Sequence, residues 1–308
     1  MGNDQLRGLQ AAVLAYTIWG LLTIYWKQLT GLDAVELIGW RLSTATVFMV
    51  AILSVTGRWQ AVRAAFTERS TVLRIVLASV LLTLNWTTYV WAVVNDRVIE
   101  TALGYFLAPL GTMALGVVVL GERMTPLKRV SVAFALVAVV VLTVANDRVP
   151  WVALALAATW SWYGLTKRRV PLDPVESLTS ELIVLVLPAV ALVAGGWLRA
   201  DGIPDQAAGA DWAFLIGTGA ITAIPLLLFA FAAKRVPFTL LGPTNYLVPI
   251  INFLLGWLAF DEPLSPSRVA GFVLVWIALM LVTTDMLRAR RDSDAAAQPT
   301  TIPTRAAG

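Results

Sequence analysis

A chain of 308 residues that is 58% hydrophobic and 14% charged, with mean hydropathy +0.77, cannot cover a water-soluble globule with polar side chains. Cys and His are both absent, which excludes disulfides, thiolate catalysis, most soft-metal sites and the side chain that titrates near neutrality. Proton chemistry would have to use carboxylates, and no metal or cofactor is expected. The net charge of +4 could suggest nucleic acid, but its confinement to short segments between apolar runs points to membrane lipid as the neighbour and to no nucleic-acid partner.

Apolar runs long enough to cross about 30 Å of hydrocarbon fall at Leu9 to Lys27, Val35 to Thr56, Val72 to Val94, Ile99 to Leu120 and Val130 to Ala145. A second set follows at Trp151 to Leu165, Leu178 to Leu198, Trp212 to Ala233, Phe238 to Phe260 and Val269 to Leu287, of which the Trp151 run is short. The reading is an all-α polytopic membrane protein of ten spans. The first run is long and lacks a small-residue cleavage site, so it is expected to stay as a span. The tail 288–308 is polar and expected to be disordered. With the N-terminus in the cytoplasm, inside segments hold 17 Lys and Arg and outside segments 5, with Arg41 left inside a span. The positive-inside rule therefore predicts cytoplasmic N- and C-termini.

The chain also repeats itself. Pro109 is followed thirteen residues later by Glu122 in Gly-Glu-Arg-Met-Thr-Pro, and Pro249 thirteen residues later by Glu262 in Asp-Glu-Pro-Leu-Ser-Pro, 140 residues further on. In each copy a hydroxyl-Pro pair (Thr125-Pro126, Ser265-Pro266) can open the next helix. Trp19-Gly20 matches Tyr163-Gly164, and Asp33-Ala-Val-Glu36 matches Asp173-Pro-Val-Glu176, in the same order. Asp96-Arg97-Val98 likewise matches Lys234-Arg235-Val236. The unit has an odd number of helices, so the second copy enters the bilayer with opposite polarity. Inverted repeats of this kind are a recurring transporter architecture, with the substrate near the midplane between the repeats.

Intramembrane polar residues are the sharpest local signals. Arg41 lies about seven residues into the second span, where a charge costs at least about 2.5 kcal/mol unless it meets a partner or a wet cavity. Counting from Asp33 and Asp173, Arg41 and Glu181 occupy equivalent positions with opposite charge. Both are expected to line a central cavity, Arg41 attracting an anionic or carbonyl-bearing group and Glu181 taking a proton or cation. The alternative is that Arg41 pairs with an acid such as Glu36, and that Glu181 is an interfacial helix-end residue. Asn85, beside Trp86 and one turn from Tyr89, gives the third span an aromatic, hydrogen-bonding face, whereas Asn252 reads better as an interhelical tie. Pro109, Pro225 and Pro249 are expected to kink their helices, as hinges or as static bends. Gly104, Gly111 and Gly116, with Gly242 and Gly256, permit close helix approach or a homodimer contact. Glu122 and Glu262 are read as caps or locks bonded to the start of the following helix.

The pattern resembles the drug/metabolite transporter superfamily with paired EamA domains, and within it the RarD group of bacterial permeases. The resembling residues are Trp19-Gly20, Trp26-Lys27, Glu36, Arg41, Asn85-Trp86, Trp91-Ala-Val, Leu103-Gly-Tyr-Phe106, Pro109-Leu110 and Glu122-Arg123 in the first half. In the second they are Tyr163-Gly164, Glu181, Pro225-Leu-Leu-Leu-Phe229, Leu241-Gly242, Tyr246, Pro249 and Glu262. The resemblance implies EamA-like repeats at 8–145 and 150–287 and a ten-helix permease of the bacterial inner membrane. Such permeases are usually proposed to export small molecules and are linked to chloramphenicol sensitivity. Trp19, Tyr105, Tyr163, Asn245 and Tyr246 are also expected at the cavity. Trp40, Thr44-Ala45 and Asn245 depart from the group's usual His, Trp-Ser and Gln, at positions expected near the cavity. A membrane enzyme is disfavoured, because carboxylates are scattered and no nucleophile, base or metal set is clustered. An uncoupled channel or facilitator and a lipid-handling protein stand as alternatives to a small-molecule carrier without nucleotide hydrolysis.

Overall fold

The computed structural model describes residues 3–121, 124–146, 149–233, 235–236 and 244–296. The elements are α1 (Asn3–Lys27), α2 (Ala34–Thr56), α3 (Trp59–Ala65), α4 (Arg69–Val94), α5 (Val98–Leu120), α6 (Pro126–Asn146), α7 (Trp151–Lys167), α8 (Pro174–Trp197), α9 (Ile203–Gln206) and α10 (Ala210–Ala233). They are followed by α11 (Leu247–Leu254), which runs into a π turn at Leu255–Ala259, and by α12 (Pro266–Ala296). Among the described residues the secondary structure is entirely helical.

Helix starts follow local chemistry. Asp33 accepts from the Glu36 N–H at 2.8 Å to open α2, and in α8 the Glu176 carboxylate reaches back to the Asp173 N–H at 3.0 Å with Pro174 in the first turn. The matched Asp-x-x-Glu sequences are thus matched helix caps. Gly57 closes α2 in the left-handed region (φ +68°), which a side chain would strain. Ahead of α4, Glu68 accepts from Ser70 and Thr71, and these hydrogen bonds hold its carboxylate below the usual range.

Eight of these helices are long and apolar enough to cross a membrane. Two of the ten expected spans differ from the reading. α7 has 17 residues, and the expected Phe238 to Phe260 span has as its described part α11 and the π turn, with 237–243 outside the described residues. Pro249 therefore stands in the first turn of α11, where the missing N–H has no helical partner to lose, so it is no mid-helix kink. Pro109 and Pro225 lie inside α5 and α10 as expected. Helix α12 continues through Arg288 to Ala296, past the expected start of disorder, because Arg and Ala are strong helix formers.

The chain divides into two compact units, residues 1–115 with 150–265 and residues 116–149 with 266–308. In the first, α2 packs along α8 and α10, α1 along α10 and α11, and α4 along α7 and α8. The α2 and α8 helices run antiparallel and are clamped at both ends. At one end Arg199, beyond α8, bridges to Glu36 at 3.0 Å; at the other Arg58, beyond α2, bridges to Glu176 and Asp173, each at 2.6 Å. One turn in from the Glu36 end, Gly39 lies against Leu192 and Ala189, where a Cβ would find no room. In the second unit α6 and α12 also run antiparallel, with Lys128 3.8 Å from Asp285 and Gly271 against Leu142.

Candidate functional site

Inside the first unit lies a cavity of about 530 Å³, within the 300–1,000 Å³ range of small-molecule sites. Two helices supply matched aromatic pairs one turn apart. Tyr16 and Trp19 of α1 have ring centroids 5.3 Å apart, and Trp160 and Tyr163 of α7 are 5.6 Å apart. Phe229 of α10 packs at 6.0 Å on both rings of the first pair; Tyr89 of α4 and Tyr105 of α5, 5.9 Å apart, link to Trp160 at 6.2 Å. Trp86, Asn245, Val248 and Pro249 complete much of the wall.

Arg41 enters this cavity from α2 with 3% of its surface exposed. Its guanidinium lies 3.9 Å from the centroid of Trp86 and 5.2 Å from that of Trp26, so aromatic faces stabilise its charge. Its Nε donates to Thr222 at 3.3 Å, and its Nη1 is buried without a hydrogen-bond partner. It forms no ion pair among the described residues. Glu36, the acid considered for it, instead accepts from the Ile203 N–H at 3.1 Å and pairs with Arg199.

Glu181, expected on the cavity wall, is fully buried behind it. Lys167 bonds it at 2.6 Å, Ser177 at 3.2 Å and Tyr163 at 3.0 Å. Among the described residues the interior carboxylate meets the cavity through Lys167 and Tyr163, both of which line it. No ion pair joins Arg41 to Glu181; each has its own set of partners. Burying an acid with a cation and two hydroxyls satisfies most of its lone pairs, which is why it retreats from the wall.

Asn85 is also buried behind the wall. Its amide donates to the Leu156 carbonyl at 3.2 Å and to Thr159 at 2.9 Å, tying α4 to α7, and its oxygen accepts from the Tyr105 hydroxyl at 3.3 Å. It positions a wall residue without lining the cavity. Asn252 is an interhelical tie: Thr23 Oγ1 lies 2.9 Å from both Asn252 and Tyr89, and Asn252 donates to Thr101 at 3.3 Å. Tyr246 lies outside the lining set. Of the departing residues only Asn245 lines the cavity; Trp40 packs edge-on against Trp212, and Thr44 bonds Thr218 at 2.8 Å. Aromatic and hydroxyl groups at those two positions find neighbours on α10, which draws them away from the cavity.

At one end the cavity reaches Lys167, Arg168, Leu172 and Pro174, at and beyond the C-terminus of α7. Bonds between neighbouring elements cluster at the opposite end of the unit. Glu262 accepts from the N–H groups of Val98 and Ile99, the second at 2.9 Å, and so caps the start of α5. The free N–H groups of a helix start attract a carboxylate, and the π turn with Gly256 against Ile99 brings Glu262 there. Lys27 bonds Asp96 beside it. Gly104 and Gly111 of α5 pack on Leu156, Ala153 and Ser161 of α7, and Gly20 of α1 on Ile251 of α11. Glu122 and Gly242 lie outside the described residues.

Sequence reasoning missed Lys167, Thr222, Tyr16 and Phe229. The repeat carried a signal for two of them: shifting Trp19 to Tyr163 also shifts Tyr16 to Trp160 and Thr23 to Lys167. Thr222 had no signal, because a lone Thr in a span is usually bonded to its own helix.

Comparison with known proteins follows the same lines. The chain matches the EamA-like transporter family twice, over residues 6–144 and 149–284. It is 40% identical to Protein RarD of Streptomyces exfoliatus, covering 98% of this chain and 97% of that one. It is 34% identical to the Bacillus subtilis protein named Uncharacterized transporter YojE, covering 93% and 97%. It is 29% identical to the Chloramphenicol-sensitive protein RarD of Pseudomonas aeruginosa, covering 94% and 96%. A solved crystal structure at 19% identity shares the fold, with a TM-score of 0.57 over 90% of this chain and 97% of that one. A multi-pass helical chain with two tandem matches and near-full-length relatives of that kind is a bacterial membrane permease, and it belongs to the EamA-like transporter family, near RarD.

Proposed function

We propose that this permease is a secondary transporter of the bacterial inner membrane that moves small organic molecules, in the export direction, by alternating access between two inverted five-helix repeats. Both termini lie in the cytoplasm on this reading, with ten spans. The observation that carries it is the α2–α8 pair. These helices are equivalent in the sequence repeat, yet they lie antiparallel and carry equivalent clamps, Glu36 with Arg199 and Glu176 with Arg58. The antiparallel α6–α12 pair, also equivalent in the repeat, supports the same inversion.

A cavity entered beside Lys167 and Arg168 is open toward the cytoplasm in this topology, because the C-terminus of α7 is an inside end. The Glu262 cap on α5, the Lys27–Asp96 pair and the Glu36–Arg199 clamp then close the outer end. Moving cargo requires that outer set to break while the inner end beside Lys167 and Arg168 closes. Exchange between two such states is what separates a carrier from a pore.

Purified protein in liposomes should show saturable uptake that is accelerated by unlabelled substrate on the far side. Flux that rises linearly with concentration and ignores the far side would replace this reading with an uncoupled facilitator.

A further inference from the structure

The cavity's charge is one-sided. Its lining includes three cationic residues, Arg41, Lys167 and Arg168, and no carboxylate among the described residues. Lys167 is matched by Glu181. Among the described residues Arg41 has no such match: it is nearly fully buried, its one hydrogen bond there is to the neutral hydroxyl of Thr222, and its Nη1 has no partner. A buried guanidinium left without a counter-charge is costly unless something else supplies one. Trp86 covers one face of the guanidinium plane at 3.9 Å, which fixes its orientation, while Nη1 remains to be satisfied.

We propose that the cargo is a small aromatic or otherwise flat organic carboxylate, bound with its carboxylate on Arg41 and its apolar body against the aromatic walls. The proposal rests on the carrier reading above and adds the substrate class. A guanidinium presents its donors in a fixed planar fork that matches the two oxygens of a carboxylate. The rings of Trp19, Trp86, Tyr105 and Trp160 offer flat faces and edges to a flat body within a cavity of about 530 Å³. An organic cation would meet the uncompensated charge of Arg41 with no acid on the described lining, and a neutral amide would leave that charge uncompensated.

The test compares isosteres on purified full-length protein. Binding of 2-naphthoate, 2-naphthamide and 2-naphthamidinium is measured by tryptophan fluorescence and thermal protection, with acetate as the carboxylate lacking a body. We expect 2-naphthoate to bind about 10- to 100-fold more tightly than the amide, the difference a charge-assisted pair makes, and the amidinium and acetate not to bind. In Arg41→Gln the preference for the anion over the amide should collapse, whereas Arg41→Lys should keep part of it. Equal binding of naphthoate and naphthamide to the wild type, or an undiminished anion preference in a folded Arg41→Gln, would overturn the proposal. The wild-type isostere series decides it even if Arg41→Gln fails to fold. Counterflow of radiolabelled naphthoate in liposomes separates the two readings. Selective binding without exchange leaves the anion site standing and refutes the carrier, while saturable exchange of neutral or cationic compounds alone leaves the carrier standing and refutes the anion.

Discussion

Glu262 is the residue whose removal should most directly change which side of the protein is open. Its carboxylate, 5% exposed, accepts from the two N–H groups at the start of α5. Hydrogen bonds to a charged partner contribute about 1.5–3 kcal/mol each, and solvent entering the vacated space recovers part of that, so Glu262→Ala should weaken the closure by about 3 kcal/mol. At 1.4 kcal/mol per factor of ten, that shifts the opening equilibrium about 100-fold. Glu262→Gln keeps one acceptor oxygen and loses the charge, for about a 10-fold shift. Because the chain has no native Cys, a single reporter can be placed beside the cap as Val98→Cys, at a fully buried position. Its reaction rate with a water-soluble maleimide in purified protein should rise in that order across wild type, Glu262→Gln and Glu262→Ala. Unchanged rates in both variants, with melting behaviour intact, would refute the assignment of Glu262 to the closure.

Other substitutions test the packing beneath the site. Melting in one detergent should rank Glu36→Ala as the most damaging clamp variant, because it orphans the buried Ile203 N–H and costs about 2–3 kcal/mol. Arg58→Ala should follow at about 1–2 kcal/mol, and Arg199→Ala, whose side chain is 52% exposed and screened, at under about 1 kcal/mol; equal shifts would contradict the clamp geometry. Asn85→Leu should cost about 2 kcal/mol by leaving the Tyr105 hydroxyl unbonded and should weaken ligand binding as well as lower the melting temperature. Gly104→Ala should destabilise by about 1–3 kcal/mol, since its Cβ would meet Leu156 at 2.8 Å and the Ala153 carbonyl at 2.9 Å. Gly195→Ala, in α8 with nothing within 4 Å, should stabilise by about 0.5–1 kcal/mol.

Most of the helices were legible because lipid imposes one simple demand, a long apolar run, and because caps such as Asp33 and Asp173 announce their starts. The partner of Arg41 was not legible in the same way. Hydropathy places residues by depth but says nothing about azimuth, and Glu36, five residues before Arg41 and so on another face of α2, is drawn off by Arg199 from the far end of α8. Glu181 illustrates the same limit: its depth followed from the repeat, but its retreat behind Tyr163 and Lys167 depends on which face of α8 meets α7. Pro249 shows that a boundary error of a few residues changes a kink into a helix start. The repeat carried more than was read from it: extending the Trp19 to Tyr163 match by one turn reaches Tyr16 and Trp160, whose pairs with Trp19 and Tyr163 face one cavity from two helices.

The inversion of the two halves can be measured with single cysteines at exposed positions past the ends of the two equivalent helices, Gln60 after α2 and Asp201 after α8. Intact cells are treated with a membrane-impermeant maleimide before and after permeabilisation. The account predicts that Asp201→Cys is labelled in intact cells and Gln60→Cys only after permeabilisation; labelling of both from the same side would contradict it.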